Sequence, residues 1–156
     1  NDLFVEIVDE IDSETMKVMK NEFVAYESEN GINVNYKRFS LILKKNNAII
    51  GVINAFTAFA EIYVDDIWVT NKYRNKGYGR LILSELESRF RGKGFNNINL
   101  VTSAFQAPEF YKKCGFKEEF KRYNEANSKL TKTFFVKYFG EKDQYQGEDM
   151  IYNEGY

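Results

Sequence analysis

The chain has 156 residues, 44% hydrophobic and 29% charged, a composition that suits one soluble globular domain with a sizeable core. Its 22 basic and 23 acidic residues leave a net charge of -1, without the basic excess of a general nucleic-acid or membrane-surface binder. There is no histidine and a single cysteine, Cys114, which excludes Ser-His and Cys-His nucleophile systems, most zinc sites and an internal disulfide. Any acid or base must therefore be Asp, Glu, Tyr, Lys, Cys or water. One thiol and no disulfide point to a reducing cytoplasm. No apolar run approaches the ~20 residues that span a bilayer, and the acidic opening residues lack a signal-peptide pattern.

In chain order, "LFVEIV" (3–8) alternates as a strand, and residues 12–30 read as a helix. Ser13 is its expected cap, Met16, Met19, Phe23 and Tyr26 fall at helical spacing, and Asn30-Gly31 closes it. Strands follow at 38–45, 48–58 and 61–69. Asn46-Asn47 marks a tight turn between the first two, because Asn tolerates a left-handed backbone. The three form an antiparallel meander. From Gly77 to Arg91 the period changes to that of an amphipathic helix, which Gly92 and Gly94 end. A strand at 97–103, a short helix opened by Pro108 and stopped by Gly115, and strands at 116–123 and 131–139 complete the pattern. The strand–helix–strand unit around the glycines requires a parallel pairing. These elements predict an α/β (α+β) fold, a mixed and mostly antiparallel sheet of about seven strands with helices on both faces. The domain is expected over 1–140, with 141–156 as a polar C-terminal extension.

"RNKGYGR" (74–80) lies between a strand end and a helix start. A helix start offers free backbone N–H groups and a positive dipole end. Gly77 and Gly79 carry no side chain to block a ligand, and Arg74, Lys76 and Arg80 add positive charge. A diphosphate fits. A dinucleotide fingerprint would need a third glycine where Ile82 stands, and the Gly-Lys-Ser/Thr of a P-loop is absent. A bare glycine pair is more often a solvated turn, so the surrounding pattern decides.

"IWVTNKYRNKGYGRLIL" resembles the coenzyme A signature of the GNAT acetyltransferase superfamily, Arg/Gln-x-x-Gly-x-Gly/Ala, as Arg74-Asn75-Lys76-Gly77-Tyr78-Gly79. "FQAPEFYKKCGF" is similar to a second family segment, with Ala107, Tyr111, Gly115 and Phe116 in register. The resemblance covers roughly Phe39 to Phe139. It implies that backbone N–H groups from Asn75 to Arg80, including those of Tyr78 and Gly79, hold the pyrophosphate of acetyl-CoA, the expected co-substrate, with no metal. It also implies that Ile67, Trp68 and Val69 flank the pantetheine arm in a gap between splayed strands. The Val69 main chain would stabilise the thioester oxyanion, and Ala107 would lie on the coenzyme's path. Tyr111 would protonate the leaving thiolate.

Asp65 and Asp66 end the strand before the splay. Alternation turns one of them to the cleft, and Asp66 is the favoured base for a cationic amine. A free Asp titrates at ~3.9, so a shifted environment or a relaying water is needed. Glu61 is a weaker candidate for the base, expected to be exposed at the hairpin. Phe56, Phe59, Tyr63 and Phe105 are candidates for the acceptor groove or for ordinary core. Two positions depart from the family pattern: Ala104 stands where many members carry a coenzyme-contacting Asn, and Asn99 where some peptide-acetylating members carry Glu. The latter argues against ribosomal-protein N-terminal acetylation. Cys114 is expected in core packing.

The expected function is acetyl-CoA-dependent N-acetylation of a primary amine, on a small molecule or peptide, by direct attack in a ternary complex. No nucleic-acid or membrane partner is expected, and the fold-level analogy is compatible with a homodimer. A non-catalytic acyl-CoA-binding or regulatory module, and a structural domain that binds no nucleotide, are the alternatives.

Overall fold

The computed structural model describes residues 2–140, so the extension expected over 141–156 lies outside the described residues. The chain divides into two compact units, one ending at Val34 and the other beginning at Asn35. In the first, residues 3–8 form no strand. The alternating apolar pattern was a sound local signal, but strand formation depends on a ladder partner rather than on the backbone's own preference. Helix α1, Ser13–Glu29, follows. Its cap is Asp12 rather than Ser13: the Thr15 N–H donates to Asp12 Oδ1 at 2.7 Å, and that bond holds the Asp12 carboxyl below its usual range. Asn30 caps the other end and Gly31 leaves it at φ +68°.

The second unit holds a six-stranded sheet where about seven strands were expected. The strands are β1 (Lys37–Lys45), β2 (Ala48–Ala58), β3 (Glu61–Val69), β4 (Asn97–Ser103), β5 (Lys117–Arg122) and β6 (Lys132–Tyr138). Their spatial order is β1-β2-β3-β4-β6-β5, with every pairing antiparallel except β3 with β4. Asn46 and Asn47 both adopt positive φ in the β1–β2 turn, as the sequence required. Helix α2, Tyr78–Phe90, makes the crossover that the parallel pair needs, and α3, Pro108–Lys113, follows β4.

The period-2 burial of β2 defines the two faces. Ile53, Ala55 and Thr57 are fully buried and face the core, together with their ladder partners Ile67, Val64 and Ile62. Against this face α2 sets the stripe Ile82, Leu83, Leu86 and Phe90, and α3 adds Phe110, Tyr111 and Cys114. Cys114 is thus part of the packing, as expected. Gly51 marks the closest approach: a Cβ there would lie 2.7 Å from Ile82 Cδ1. The opposite face carries Arg38, Ser40, Asn54, Phe56, Glu61, Tyr63, Asn97 and Asn99. At the far end of α2, Glu87 receives Lys137 Nζ at 2.6 Å and Arg91 Nη2, while Lys137 also donates to the Cys114 carbonyl at 3.0 Å. This cluster ties α2, α3 and β6 together. Burial pushes the Glu87 carboxyl up, but the two cations outweigh it and hold the carboxyl below its usual value.

Candidate active site

The site begins where the parallel pair fails. Strands β3 and β4 are in register only over Glu61–Asn97, Ile62–Ile98 and Tyr63–Asn99. Beyond Tyr63 and Asn99 they part, and residues 64–69 and 100–103 face each other across a gap without a shared ladder. The Thr70 N–H bonds the Ile50 carbonyl at 2.9 Å, so the antiparallel alternation turns the N–H and C=O of Val69 the other way, toward the gap. The Val69 carbonyl accepts from Arg74 Nε at 3.0 Å. Arg74, expected only as a charge for the phosphates, therefore pins the glycine loop to the strand end. The gap offers the N–H edge of a strand to any extended chain that enters it.

At the mouth of the gap the backbone turns left-handed twice, at Asn75 (φ +60°) and Gly77 (φ +85°). Gly77 is the N-cap of α2, and the first helical bond runs from the Leu81 N–H to its carbonyl at 3.0 Å. No side chain caps this helix, in contrast to α1 with Asp12. The N–H groups of Tyr78, Gly79 and Arg80 therefore have no intrahelical acceptor. Arg74, Lys76 and Arg80 are exposed around them, and no acid sits in the first turn. The two glycines have different reasons. A Cβ on Gly77 would meet nothing within 4 Å, so the residue is needed for its backbone angle and for open space. A Cβ on Gly79 would come within 3.1 Å of the Phe110 ring and 3.9 Å of Val69 Cγ2, so Gly79 lets the start of α2 pack on α3 and the strand end. Tyr78 turns its ring to Tyr73, 6.1 Å between centroids.

Tyr111 lies on the core face, against Phe110 (5.1 Å), Phe116 (6.1 Å) and Phe135 (5.8 Å). Burial raises its phenol above the usual tyrosine value, and the nearby Cys114 and Asp66 charges raise it further. Ala107, at φ +64°, is the N-cap from which α3 starts, with Pro108 at its first position. Ile67 is half-buried toward the core face, whereas Trp68 is 44% exposed on the opposite face.

Asp65 and Asp66 depart from simple alternation. The β2–β3 ladder slips between Asn54 and Ala55: Asn54 pairs with Asp66, Ala55 pairs with Val64, and Asp65 is the extra residue of a β-bulge. Both carboxylates consequently reach partners on the face opposite the core, where alternation alone would have placed only one. Asp65 pairs with Arg38 Nη1 at 2.5 Å, and Arg38 also lies 4.9 Å over the Phe56 ring. Asp66 Oδ1 accepts from Asn54 Nδ2 at 2.8 Å, and Asn54 is itself fixed by the Ser40 hydroxyl at 2.6 Å. Asp65 is thus charge-compensated, while Asp66 is oriented by a neutral amide. The two carboxylates thus lie on the face opposite the core, while Tyr111 lies on the core face.

Glu61, the weaker candidate for the base, is not the exposed hairpin charge expected. It is half-buried, and its Oε1 accepts from both Asn97 Nδ2 and Asn99 Nδ2 at 3.2 Å. Its Oε2 accepts from the Tyr63 hydroxyl at 3.1 Å. Tyr63 in turn stacks on Phe56 at 4.9 Å, and burial, followed by the Glu61 charge, raises its phenol above the usual value. Phe105 is 63% exposed after β4.

A strand pair that opens beside a glycine-led, uncapped helix start is the geometry that the coenzyme A signature implied. The model of the acetyltransferase (GNAT) family matches residues 5–116, well over half of the sequence, and the chain belongs to that family. No curated protein matches it. Among solved structures it is similar to an acetyltransferase from Bacillus cereus, at 27% identity and TM-score 0.68 over 85% of this chain and 97% of that one. It shares the fold of the aminoglycoside 6'-N-acetyltransferase from Enterococcus faecium (17% identity, TM-score 0.59, 85% and 90% covered). A Bacillus anthracis structure assigned as a streptothricin acetyltransferase, in complex with acetyl coenzyme A, also shares it (24%, TM-score 0.55, 65% and 62% covered). No helix among the described residues is long and apolar enough to cross a membrane.

Proposed function

We propose that the protein is an acetyl-CoA-dependent N-acetyltransferase that moves the acetyl group to a primary amine by direct attack in a ternary complex. The observation that carries this reading is the junction of two features: a β3–β4 gap lined by a free strand edge, and, at its mouth, three helix-start N–H groups without a cap. The second suits a pyrophosphate, and the first suits an extended amide-bearing arm. The fold neighbour solved with acetyl coenzyme A supports the same choice of co-substrate.

In this reading the N–H groups of Tyr78, Gly79 and Arg80 bind the pyrophosphate, with Asn75 and Gly77 shaping the turn and Lys76 adding charge. The Val69 N–H, facing the gap, binds the thioester carbonyl and takes up its developing negative charge. The amine approaches from the Asp65–Asp66 side. Asp66 attracts it as the ammonium and accepts its proton through water, while Asp65 stays occupied by Arg38. Tyr111, protonated at neutral pH as any phenol is and with its titration raised further by burial, donates a proton to the departing thiolate. Much of the rate comes from holding amine and thioester together in one slot.

The test is thiol release with acetyl-CoA and a panel of amines. Tyr111→Phe is expected to lower kcat by about 10²-fold or more while leaving coenzyme A affinity unchanged. A variant as active as the wild type would remove Tyr111 from the acid role.

A further inference from the structure

A cavity of about 480 Å³ lies at the closed end of the gap, lined by Phe59, Glu61, Asn97, Asn99, Glu119 and Tyr138 among others. Asn99 belongs both to this lining and to the last rung of the β3–β4 ladder, so the cavity starts where the strands part. It lies on the face that carries Asp66; Glu61 and Asp66 are four ladder steps apart along β3 once the Asp65 bulge is discounted, or roughly 13 Å at the usual rise per residue. Its volume falls within the range of small-molecule pockets.

The charge at this cavity is out of balance. Glu85, Glu87, Glu109, Glu118 and Asp65 each meet a Lys or Arg within ion-pair distance. Glu61 and Glu119 meet none among the described residues. Glu61 is nevertheless firmly placed: two asparagine amides and one phenol hold its two oxygens, and Asn97, 95% buried on its 5% exposure, also donates to Asn96 Oδ1 at 2.7 Å. Neutral donors fix the carboxylate without cancelling its charge. Glu119 reaches the same cavity because it is the extra residue of a bulge between Glu118 and Phe120 in β5. Phe59 and Tyr138 add aromatic surface, which favours an alkylammonium over a metal ion.

We propose that this cavity binds the distal ammonium group of a diamine or polyamine-like acceptor, with Glu61 as the fixed counter-charge, while the amine to be acetylated sits at the slot beside Asp66. The inference rests on the N-acetyltransferase reading for its substrate. It adds that the enzyme selects acceptors carrying a second cation several methylenes away from the reacting amine. Glu61 is then a specificity-determining residue, and Glu119 supplements its field.

The test is calorimetric titration of spermidine and of n-butylamine into the full chain, wild type, Glu61→Gln and Glu119→Gln, at fixed ionic strength. Coenzyme A is titrated separately into each. Spermidine is expected to bind saturably and far more tightly than n-butylamine. Glu61→Gln should weaken spermidine at least tenfold and Glu119→Gln about threefold, with n-butylamine and coenzyme A binding unchanged. Spermidine that does not saturate the wild type, or that binds both variants as tightly as the wild type, overturns the proposal. Should Glu61→Gln fail to fold, Glu119→Gln alone decides it by the same criterion. A protein that binds spermidine as described but not coenzyme A would instead refute the acetyl-transfer reading and leave the cavity's assignment standing.

Discussion

Replacing Gly77 should damage coenzyme A binding more than removing the Lys76 side chain, because the cradle is made of backbone. Gly77 sits at φ +85° and ψ 7°, where an L-residue costs about 1–2 kcal/mol. A Val there either bears that strain or rotates the turn, and rotation misaims the N–H groups of Tyr78, Gly79 and Arg80. A hydrogen bond to a charged acceptor contributes about 1.5–3 kcal/mol. Losing the alignment of one such bond raises Kd by about 10- to 100-fold, at about 1.4 kcal/mol per tenfold. Lys76 is exposed, and an exposed charge contributes about 0–1 kcal/mol, or less than about fivefold in Kd. Gly77→Asn separates backbone angle from side-chain bulk, since Asn tolerates the left-handed region and a Cβ here meets nothing within 4 Å. It should keep most of the affinity that Gly77→Val loses. Titration calorimetry with coenzyme A at one salt concentration reads all three variants, and thermal melts confirm that each is folded. A Lys76→Ala variant weaker than Gly77→Val would show that side-chain charge is the main holder and refute the backbone account.

Asp66→Asn should lower kcat/KM for a cationic amine by about 10²-fold with coenzyme A affinity intact. Asp65→Asn, which only releases Arg38, should cost much less, and the reverse order in steady-state kinetics would reassign the base. The raised Tyr111 phenol predicts that the alkaline loss of kcat assigned to the acid lies above the ordinary tyrosine value of 10.0, and that this limb disappears in Tyr111→Phe. Glu87, with its folded-state value depressed below 4.5, contributes stability at neutral pH that is lost as pH falls through the acid range. Glu87→Gln should therefore destabilise the protein by about 1–3 kcal/mol at pH 7, and the deficit should shrink on acidification in denaturant titrations.

The second unit's strands and helices were legible because their signals are local: alternation for β1 to β6, a 3.6-residue period for α2, Pro108 and Gly115 around α3. The glycine stretch was legible as a turn into an open helix start because its order, strand then turn then helix, is written locally. What was hidden depends on partners distant in sequence. Residues 3–8 alternate like a strand, but no ladder accepts them. Asp65 and Asp66 look like opposite-facing neighbours until the register of β2 reveals an extra residue between Val64 and Asp66. Glu61 reads as a hairpin charge until β4, 36 to 38 residues later, places Asn97 and Asn99 beside it. Asp12 took the cap from Ser13 through a one-residue offset, the ordinary uncertainty of helix ends.

The bulge at Asp65 has a consequence for how the chain tolerates changes of length. Val64 and Asp66 already pair with adjacent residues of β2, Ala55 and Asn54. Deleting Asp65 would therefore leave every later pairing of β3 in place, and Ile67, Trp68 and Val69 would keep their faces. The deletion would instead remove the local bend that the surplus residue imposes on the strand. A straighter β3 could continue its ladder with β4 past Tyr63, and the free edge would be consumed by the sheet itself. On this view Asp65 is a one-residue insertion that holds the slot open, and its loss would close the slot into a continuous β-sheet without unfolding the chain.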